Sequence, residues 1–296
     1  MLKKRTILAL IVVLTLALVV TGCGDNNNDA NNENNGDVEA QTEFDLAYVL
    51  WDCATANSYM VKNVLEEEFD VTVNLRDMEA GFMWQGIADG DLDFMVTAWL
   101  PGTHASYYEQ LQDDVDDLGP LYTGAAIGLV VPSYVEIDSI EELNDHADQF
   151  NGQIVGIDAG AGIMSATNDA IAEYDLDLSL LESSDAAMTA ELDTAISNGE
   201  WIVVTGWAPH WKFGTYDLKF LEDPKGIYGG EETINVIARE GLADAAPEVH
   251  AFLDNYSMTA DEFGSLIDIM QEYDDNDEAA QVWIEENRDL VDSWLQ

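Results

Sequence analysis

Hydrophobic and polar residues follow one another along this chain in a repeating order of short apolar runs and longer amphipathic segments. Two apolar runs end almost identically, since residues 96–101 read V-T-A-W-L-P and residues 204–209 read V-T-G-W-A-P. Each run is rich in β-branched residues, and its proline predicts the end of a strand. The two runs start 108 positions apart and indicate an internal repeat.

The pattern upstream of each run predicts the same order of elements in both halves, which is strand, helix, strand, helix, strand. Two glycines, Gly90 and Gly199, follow the second helix of each unit, where helices often end. This alternation predicts an α/β fold with two lobes of parallel sheet related by pseudo-symmetry. The predicted ranges are 46–51, about 57–69, 70–75, 80–89 and 95–100 in the first unit, and 154–157, about 164–174, 176–180, 185–197 and 204–207 in the second.

The rest of the chain connects these units. An apolar run at 121–131 leads out of the first lobe, and a strand at 233–239 is expected to return to it. The segments 260–273 and 277–295 have helical patterns. We therefore predict two lobes joined by two crossings with a ligand site in the cleft. Lobe I comprises 44–131 and 232–296, and lobe II comprises 132–231.

The N-terminal segment is predicted to be a targeting signal rather than part of the fold. Three cations at 3–5 precede an apolar core at 7–20, which is short for a membrane span. The core ends in V-T-G-C, which resembles the lipobox of bacterial lipoproteins, although an ordinary secretory signal is the alternative. We expect residues 1–22 to be a lipoprotein signal peptide and Cys23 to carry a lipid anchor at the extracytoplasmic face of the membrane. The Asn/Asp-rich residues 23–43 then form a disordered tether.

The charge of the chain is strongly negative. The formal net charge is −49, and removing Lys3, Lys4 and Arg5 with the signal takes it to −52. Binding to nucleic acid needs clustered Lys and Arg, so this balance argues against such a partner. Acidic residues are spread over nearly every segment, which is typical of proteins that stay hydrated in concentrated salt. We interpret the charge as the solvated surface of a halophile's protein, because the Debye length is only about 3 Å at 1 M ionic strength.

No motif indicates an enzyme. The four histidines lack metal-ligand spacing, and no nucleophile elbow, P-loop or dinucleotide fingerprint is present in the sequence. We therefore expect no catalytic residue, no metal and no cofactor. Cys53 is the one cysteine besides Cys23, so the folded part has no partner for an internal disulfide. We expect Cys53 to be a small buried residue.

Tryptophans are the residues that indicate a ligand-binding function in this sequence. Trp51, Trp99 and Trp207 each end a predicted strand that points toward the cleft. Several indole faces around one volume form a cage for a soft cation such as a quaternary ammonium group. The interpretation of Trp211 stays open between a lid and the core. Core packing is predicted for four other tryptophans, Trp84, Trp201, Trp283 and Trp294.

A zwitterion also needs an anion pocket, and the loop at 156–162, G-I-D-A-G-A-G, lies between a predicted strand and a helix. Free backbone N–H groups in such a loop can bind a carboxylate. His104 follows the Trp99 turn and could donate a hydrogen bond from the other lobe.

These residues resemble the substrate-binding lipoproteins of ABC importers for glycine betaine and related compatible solutes. The resemblance covers the chain from about Phe44 and is carried by the stretches A-Y-V-L-W-D at 47–52, T-A-W-L-P-G-T-H at 97–104, G-I-D-A-G-A-G-I-M at 156–164, S-D-A-A-M-T-A at 184–190 and V-T-G-W-A-P-H-W at 204–211. It implies the type II periplasmic-binding-protein fold and a membrane permease as partner. Cys53 departs from the family, in which a residue such as Ser is expected.

The resemblance also implies the roles of individual residues. Trp51, Trp99 and Trp207 would hold the trimethylammonium group, and the backbone of Gly156 and Ile157 together with His104 would hold the carboxylate. The chain is then expected to be a monomeric receptor that binds glycine betaine, with proline betaine fitting the same cage. A choline or carnitine receptor and an osmolyte-sensing module are the alternatives.

Overall fold

Nine strands form one continuous sheet at the centre of the computed structural model, which describes residues 40–296. The order across the sheet is β2-β1-β3-β9-β4-β7-β5-β6, and β8 pairs separately with β4. The strands are β1 (Glu43–Tyr48), β2 (Thr72–Asp77), β3 (Phe94–Leu100), β4 (Val115–Pro132), β5 (Gln153–Val155), β6 (Ser179–Leu181), β7 (Val204–Ala208), β8 (Leu218–Phe220) and β9 (Glu232–Arg239).

The long strand β4 belongs to both halves of this sheet. Its residues 115–125 pair with β9, and its residues 126–130 pair with β7. We call β2, β1, β3, β9 and the first part of β4 the first segment. The second segment comprises the rest of β4 with β7, β5, β6 and β8. The α/β architecture predicted from the sequence is confirmed, since helices alternate with the strands of this sheet along most of the chain.

Strand direction differs in part from the prediction of parallel sheets. Within the first segment β1 runs parallel to β2 and β3, and within the second β5 runs parallel to β6 and β7. β9 and β4, however, run antiparallel to their neighbours. These two strands carry the chain between the segments rather than through a β-α-β unit, so the right-handed crossover that makes neighbours parallel does not apply to them. The sheet is therefore mixed.

Helices cover the sheet, and most begin and end close to the predicted positions. The segment predicted as one helix at 277–295 is instead two, because Asn287 leaves the helical conformation and its amide side chain bonds to the carbonyl oxygen of Trp283. A 3-10 helix spans Ile140–Phe150. The α-helices are α1 (Asp52–Phe69), α2 (Ala80–Ala88), α3 (Ala105–Leu111), α4 (Gly162–Glu173), α5 (Asp185–Asn198), α6 (Lys212–Thr215), α7 (Leu242–Ala245), α8 (Pro247–Asn255), α9 (Ala260–Met270), α10 (Asn276–Glu286) and α11 (Arg288–Trp294).

The folded part begins slightly before the predicted end of the tether. The side-chain amide of Gln41 donates to Asp93 at 2.8 Å and its oxygen accepts from Arg239 at 2.7 Å. These polar contacts fix the chain ahead of β1, although the segment has no apolar pattern. The predicted signal peptide at 1–22, the lipidation site Cys23 and most of the tether lie outside the described residues. Among the described residues, no helix has the length and apolar character needed to cross a membrane.

Three of the four tryptophans predicted to pack in the core lie in the core. Trp84, Trp283 and Trp294 are at most 2 % exposed, which confirms the prediction for them. Trp201 is only half-buried and packs against the rings of His146 and Phe150. Cys53 is buried with a free thiol, as predicted.

Candidate ligand-binding site

The three tryptophans singled out from the sequence come together between the two segments of the sheet. Trp99 lies in β3 and Trp207 in β7, near the carboxyl ends of these strands. Trp51 follows β1 by three residues and is the N-cap of α1 rather than the last residue of a strand. All three are at most 5 % exposed. The parallel strands therefore deliver these side chains to one place.

A small cavity lies between these indoles. The rings of Trp51 and Trp207 are 6.5 Å apart between centroids and inclined at 55°. Indole faces at such an angle can surround a compact cation from several sides and offer it both dispersion contacts and the negative face of the ring quadrupole. The cavity is lined by Trp51, Trp99, Thr103, Ile127, Ile157, Ala161, Gly162, Ile163 and Trp207.

His104 lies behind the cavity wall rather than on its surface. It is fully buried, and its ring is 6.0 Å from the ring of Trp51. Its Nδ1 accepts the backbone N–H of Trp99 at 3.1 Å. Burial lowers the pKa of His104 to about 3, so the ring is neutral and its proton lies on Nε2. This N–H has no acceptor among the described residues, which leaves a buried donor beside the indoles.

The two backbone amides of the predicted anion pocket have different surroundings. The N–H of Gly156 donates to the carbonyl of Leu181 at 2.8 Å as part of the sheet. The N–H of Ile157 points at the thioether sulfur of Met164, 3.2 Å away, which is a weak acceptor. Gly156 also makes room for this sulfur, because a Cβ there would lie 2.5 Å from it. Of the two amides, that of Ile157 is therefore the one still able to bind a stronger acceptor.

The turn that follows Trp99 is held by a buried carboxylate. Glu232, the first residue of β9, accepts the N–H groups of Gly102 at 2.7 Å and Thr103 at 2.6 Å and also bonds to the hydroxyl of Thr103. Only 3 % of Glu232 is exposed. Since Thr103 lines the cavity, Glu232 positions one of its walls. The sequence analysis did not find this residue, because an acidic residue in so acidic a chain carries no signal.

The two segments touch directly at the rim of the cavity. A Cβ on Gly162, at the start of α4, would lie 1.9 Å from the carbonyl oxygen of Thr103. The hydroxyl of Tyr107 donates to the carbonyl of Gly160 at 2.9 Å. Backbone therefore approaches backbone across the boundary between the segments. This is a closed arrangement around the cavity.

A second polar group spans the same boundary next to Trp207. Nε2 of His210 is 3.2 Å from a carboxylate oxygen of Asp185 and 3.7 Å from one of Asp52. The indole N–H of Trp211 donates to Asp52. Trp211, which the sequence left open between lid and core, is thus a half-buried residue that bridges the two segments.

The three side chains Asp52, Asp185 and His210 are close enough to surround a metal ion, but their hydrogen bonds do not suit one. Nδ1 of His210 accepts the N–H of Lys212 at 3.1 Å. A neutral imidazole has a single lone pair on its ring nitrogens, so Nε2 carries the proton and cannot coordinate a metal. We therefore interpret the group as a hydrogen-bonded cluster.

Lys212 is the fourth charged or titratable residue of this cluster. The side chain is fully buried, and Nζ lies 4.0 Å from the ring centroid of Trp207 without an acceptor among the described residues. Burial lowers the pKa of Lys212 to about 7, although Asp185, Cys53 and Asp52 act to raise it. Burial and the two carboxylates raise the pKa of the Cys53 thiol to about 12. Cys53 is therefore a protonated packing residue beside the indole.

The lining of the cavity includes residues that the sequence analysis did not assign. Thr103, Ala161, Gly162 and Ile163 lie within the sequence stretches that carried the family resemblance, so the motifs already pointed to them. Ile127 lies in the apolar run of β4. No polar or aromatic marker distinguishes it there, and only the pairing of β4 with β7 brings it to the cavity.

A protein-family model described as "Substrate binding domain of ABC-type glycine betaine transport system" matches residues 43–286. The glycine betaine/carnitine transport binding protein GbuC of Listeria monocytogenes serotype 1/2a (strain 10403S) is 43 % identical over 177 residues. That alignment covers 59 % of this chain and 57 % of the relative. The match thus spans little more than half of the relative's length.

Solved structures extend the similarity to most of the chain and confirm the type II fold class predicted from the sequence. The crystal structure of lactococcal OpuAC, in its closed-liganded conformation complexed with glycine betaine, has a TM-score of 0.82 and 39 % identity. It covers 86 % of this chain and 100 % of that one. The glycine betaine, L-proline transporter binding protein ProX from Borrelia burgdorferi has a TM-score of 0.81 and 35 % identity, over 86 % and 97 % of the two chains.

Proposed function

Because the chain belongs to the family of substrate-binding domains of ABC-type glycine betaine transport systems, we propose that it captures glycine betaine outside the cytoplasm and delivers it to an importer permease. The observation that carries this proposal is the convergence of three buried tryptophans, Trp51, Trp99 and Trp207, on one cavity. The family is one of binding domains, which confirms the expectation that the chain is not an enzyme.

The cage suits a quaternary ammonium group for a physical reason. A trimethylammonium head cannot donate hydrogen bonds, so a carboxylate would have to compensate its full desolvation as an ion pair. Indole faces attract the same charge while remaining apolar, and each desolvated cation–π contact contributes up to about 2 kcal/mol. The three tryptophans of the cavity hold the cationic end of the ligand.

The other end of the ligand, its carboxylate, is bound by neutral donors. The Nε2–H of His104 is buried without an acceptor, and the N–H of Ile157 faces only a thioether. Hydrogen bonds from such donors to an ionised acceptor contribute about 1.5–3 kcal/mol. Gly156 supports the pocket by leaving room for Met164. These donors favour a betaine over choline, which has no carboxylate.

The two segments of the sheet act as two lobes in this proposal, with boundaries near 131 and 232. Two observations support crossings close to these positions: β4 changes its partner from β9 to β7 between residues 125 and 126, and β9 begins at Glu232. Cys23 tethers the monomeric receptor to the membrane through a lipid, and the acidic surface keeps it hydrated in high salt. These assignments rest on the sequence.

The function is tested by calorimetric titration of the protein at high salt with glycine betaine, proline betaine, carnitine and choline. We expect glycine betaine to bind and the Trp99→Ala, Trp207→Ala double variant to lose at least about 100-fold in affinity, since two cation–π contacts of up to about 2 kcal/mol each disappear. Trp201→Ala, remote from the cavity, is the control for removing an indole and should keep the affinity. Tight binding by the double variant would refute the cage.

The carboxylate pocket is tested with His104→Asn. The amide oxygen of Asn can replace Nδ1 as acceptor for the Trp99 N–H, whereas the Nε2–H is lost. Glycine betaine should therefore bind roughly tenfold or more weakly, with little change for choline. An equal loss for both ligands would show that His104 only shapes the turn. Binding of choline alone by the native protein would move the function to a choline receptor.

A further inference from the structure

Two hydrogen bonds of the same kind join the segments of the sheet in opposite directions. The indole N–H of Trp51, from the first segment, donates to Asp158 of the second at 3.2 Å. The indole N–H of Trp211, from the second segment, donates to Asp52 of the first. We call these two bonds the clasp. Because Trp51 is a wall of the cavity and Asp52 is its neighbour in sequence, the clasp acts directly on the cage.

The two carboxylates of the clasp differ in what surrounds them. Asp52 begins α1, and its backbone N–H donates to a carboxylate oxygen of Asp185 at 3.3 Å. The charged and titratable groups that face the Asp52 side chain are Asp185 from α5, His210 and Lys212 after β7, and Cys53 from its own helix. Asp52 and Asp185 belong to different segments, so closure of the cleft brings these two carboxylates together.

We propose that Asp52 is a positioning residue for ligand capture, which holds Trp211 across the boundary next to Trp51 and takes up a proton when the cleft closes. The proposal rests on the proposed function, because closure is driven by the ligand. It adds an exchangeable proton to a binding reaction between a receptor and a ligand of zero net charge.

The direction of the effect follows from the two carboxylates. Burial and the neighbouring Asp185 raise the pKa of Asp52, and they outweigh His210, the bond from Trp211, and Lys212, which lower it. Opening the cleft removes Asp185 and exposes Asp52 to water, so the pKa of Asp52 is higher in the closed form than in the open form. The closed form therefore binds more protons. This contribution to affinity is fully present below the open-form pKa and is lost as the pH rises through the closed-form pKa.

The other titratable members of the cluster have different effects. In the closed form, burial and Lys212 lower the pKa of His210 and outweigh Asp185 and Asp52, which raise it, so His210 releases a proton on closure rather than taking one up. Lys212 lies on the second segment, and the approach of α1 adds both burial and the charge of Asp52 to its surroundings. Burial outweighs the nearby charges and lowers the pKa of Lys212, so Lys212 also releases a proton on closure, which is the opposite sign to Asp52. The sign of the proton exchange therefore distinguishes Asp52 from His210 and Lys212.

The test is calorimetric titration of the full-length protein with glycine betaine in buffers of different ionisation enthalpy, between about pH 8 and about pH 5, where the ligand carboxylate stays ionised. This comparison counts the protons exchanged on binding. The native protein is expected to take up a fraction of a proton that grows as the pH falls, with affinity rising by about three- to tenfold. Asp52→Asn keeps an acceptor for the Trp211 N–H and should abolish both effects.

Asp158→Asn is the matched control, because it makes the same substitution in the same kind of bond on the other side of the clasp. It should keep the proton uptake of the native protein. Unchanged uptake in Asp52→Asn would overturn the proposal, and so would equal loss in both variants. Proton release that disappears in Lys212→Met would instead assign the titration to Lys212. Absence of binding by the native protein at every pH would refute the proposed function itself, a result distinct from these.

Discussion

Gly162 shows how much a single position can matter where the two segments of the sheet meet. Its Cα faces the carbonyl oxygen of Thr103 so closely that a methyl group would lie 1.9 Å from it. Glycine is commonly read as a flexible residue, but its conformation here is that of an ordinary first helical residue. The missing side chain is what the site requires.

We predict that Gly162→Ala weakens glycine betaine binding by at least about tenfold while the free energy of unfolding changes little, because the clash exists only where the segments meet. Gly160→Ala is the matched control, since the nearest atom to its Cβ would be a carboxylate oxygen of Glu79 at 3.9 Å. Titration calorimetry and urea unfolding of both variants test this. Native affinity in Gly162→Ala would show that the close approach is not needed for binding.

At the scale of elements, the turn between β3 and α3 depends on a strand distant in sequence. Glu232 reaches this turn from the start of β9 and satisfies two backbone donors and one hydroxyl. The motif T-A-W-L-P-G-T-H places Trp99 and Thr103 on the turn. Only the antiparallel pairing of β9 with β3 supplies the carboxylate.

Glu232→Ala is predicted to lower the affinity for glycine betaine by about tenfold to 100-fold, because buried donors left without an acceptor cost about 1–3 kcal/mol each and Thr103 is released from the cavity wall. Glu232→Gln should keep most of the affinity, since its amide can accept the two N–H groups and donate to the hydroxyl. Glu231→Ala, which changes the exposed neighbouring residue, is the control. If the Ala variants at 231 and 232 bind equally well, Glu232 has no positioning role.

At the scale of the whole molecule, the strong excess of negative charge opposes the compact state through self-repulsion. Of the seven cations outside the predicted signal, five pair with carboxylates, whereas Lys212 and Lys225 lie over aromatic rings. Most acidic residues therefore repel one another across the surface. The cavity between the indoles, by contrast, is lined mainly by apolar residues.

Stability and binding should consequently respond differently to salt. Raising NaCl from about 0.1 M to about 1 M shortens the Debye length from about 10 Å to about 3 Å, so we expect Tm to rise by about 5 °C or more. The Kd for glycine betaine should change by less than about threefold, because its contacts are short and dehydrated. Calorimetric scans and titrations measure the two quantities, with sucrose of equal osmolality as control. A Kd that followed Tm would show that binding is limited by folding.

The amino-acid sequence alone determined much of this protein. Apolar periodicity and glycine or proline at segment ends predicted most helices and strands, because these signals are local. The repeated tryptophan motifs predicted that Trp99 and Trp207 lie near strand ends at one cavity, because parallel strands deliver their carboxyl ends to the same edge.

Only the tertiary structure decided which groups meet across the cleft. The contacts of Asp52 with Asp185 and of Gly162 with Thr103 join residues 133 and 59 positions apart, and no local pattern records them. The antiparallel course of β4 and β9 was equally hidden, since strand direction depends on the path of the chain between lobes. Local residue types set what each element can do, whereas packing of distant elements sets what surrounds it.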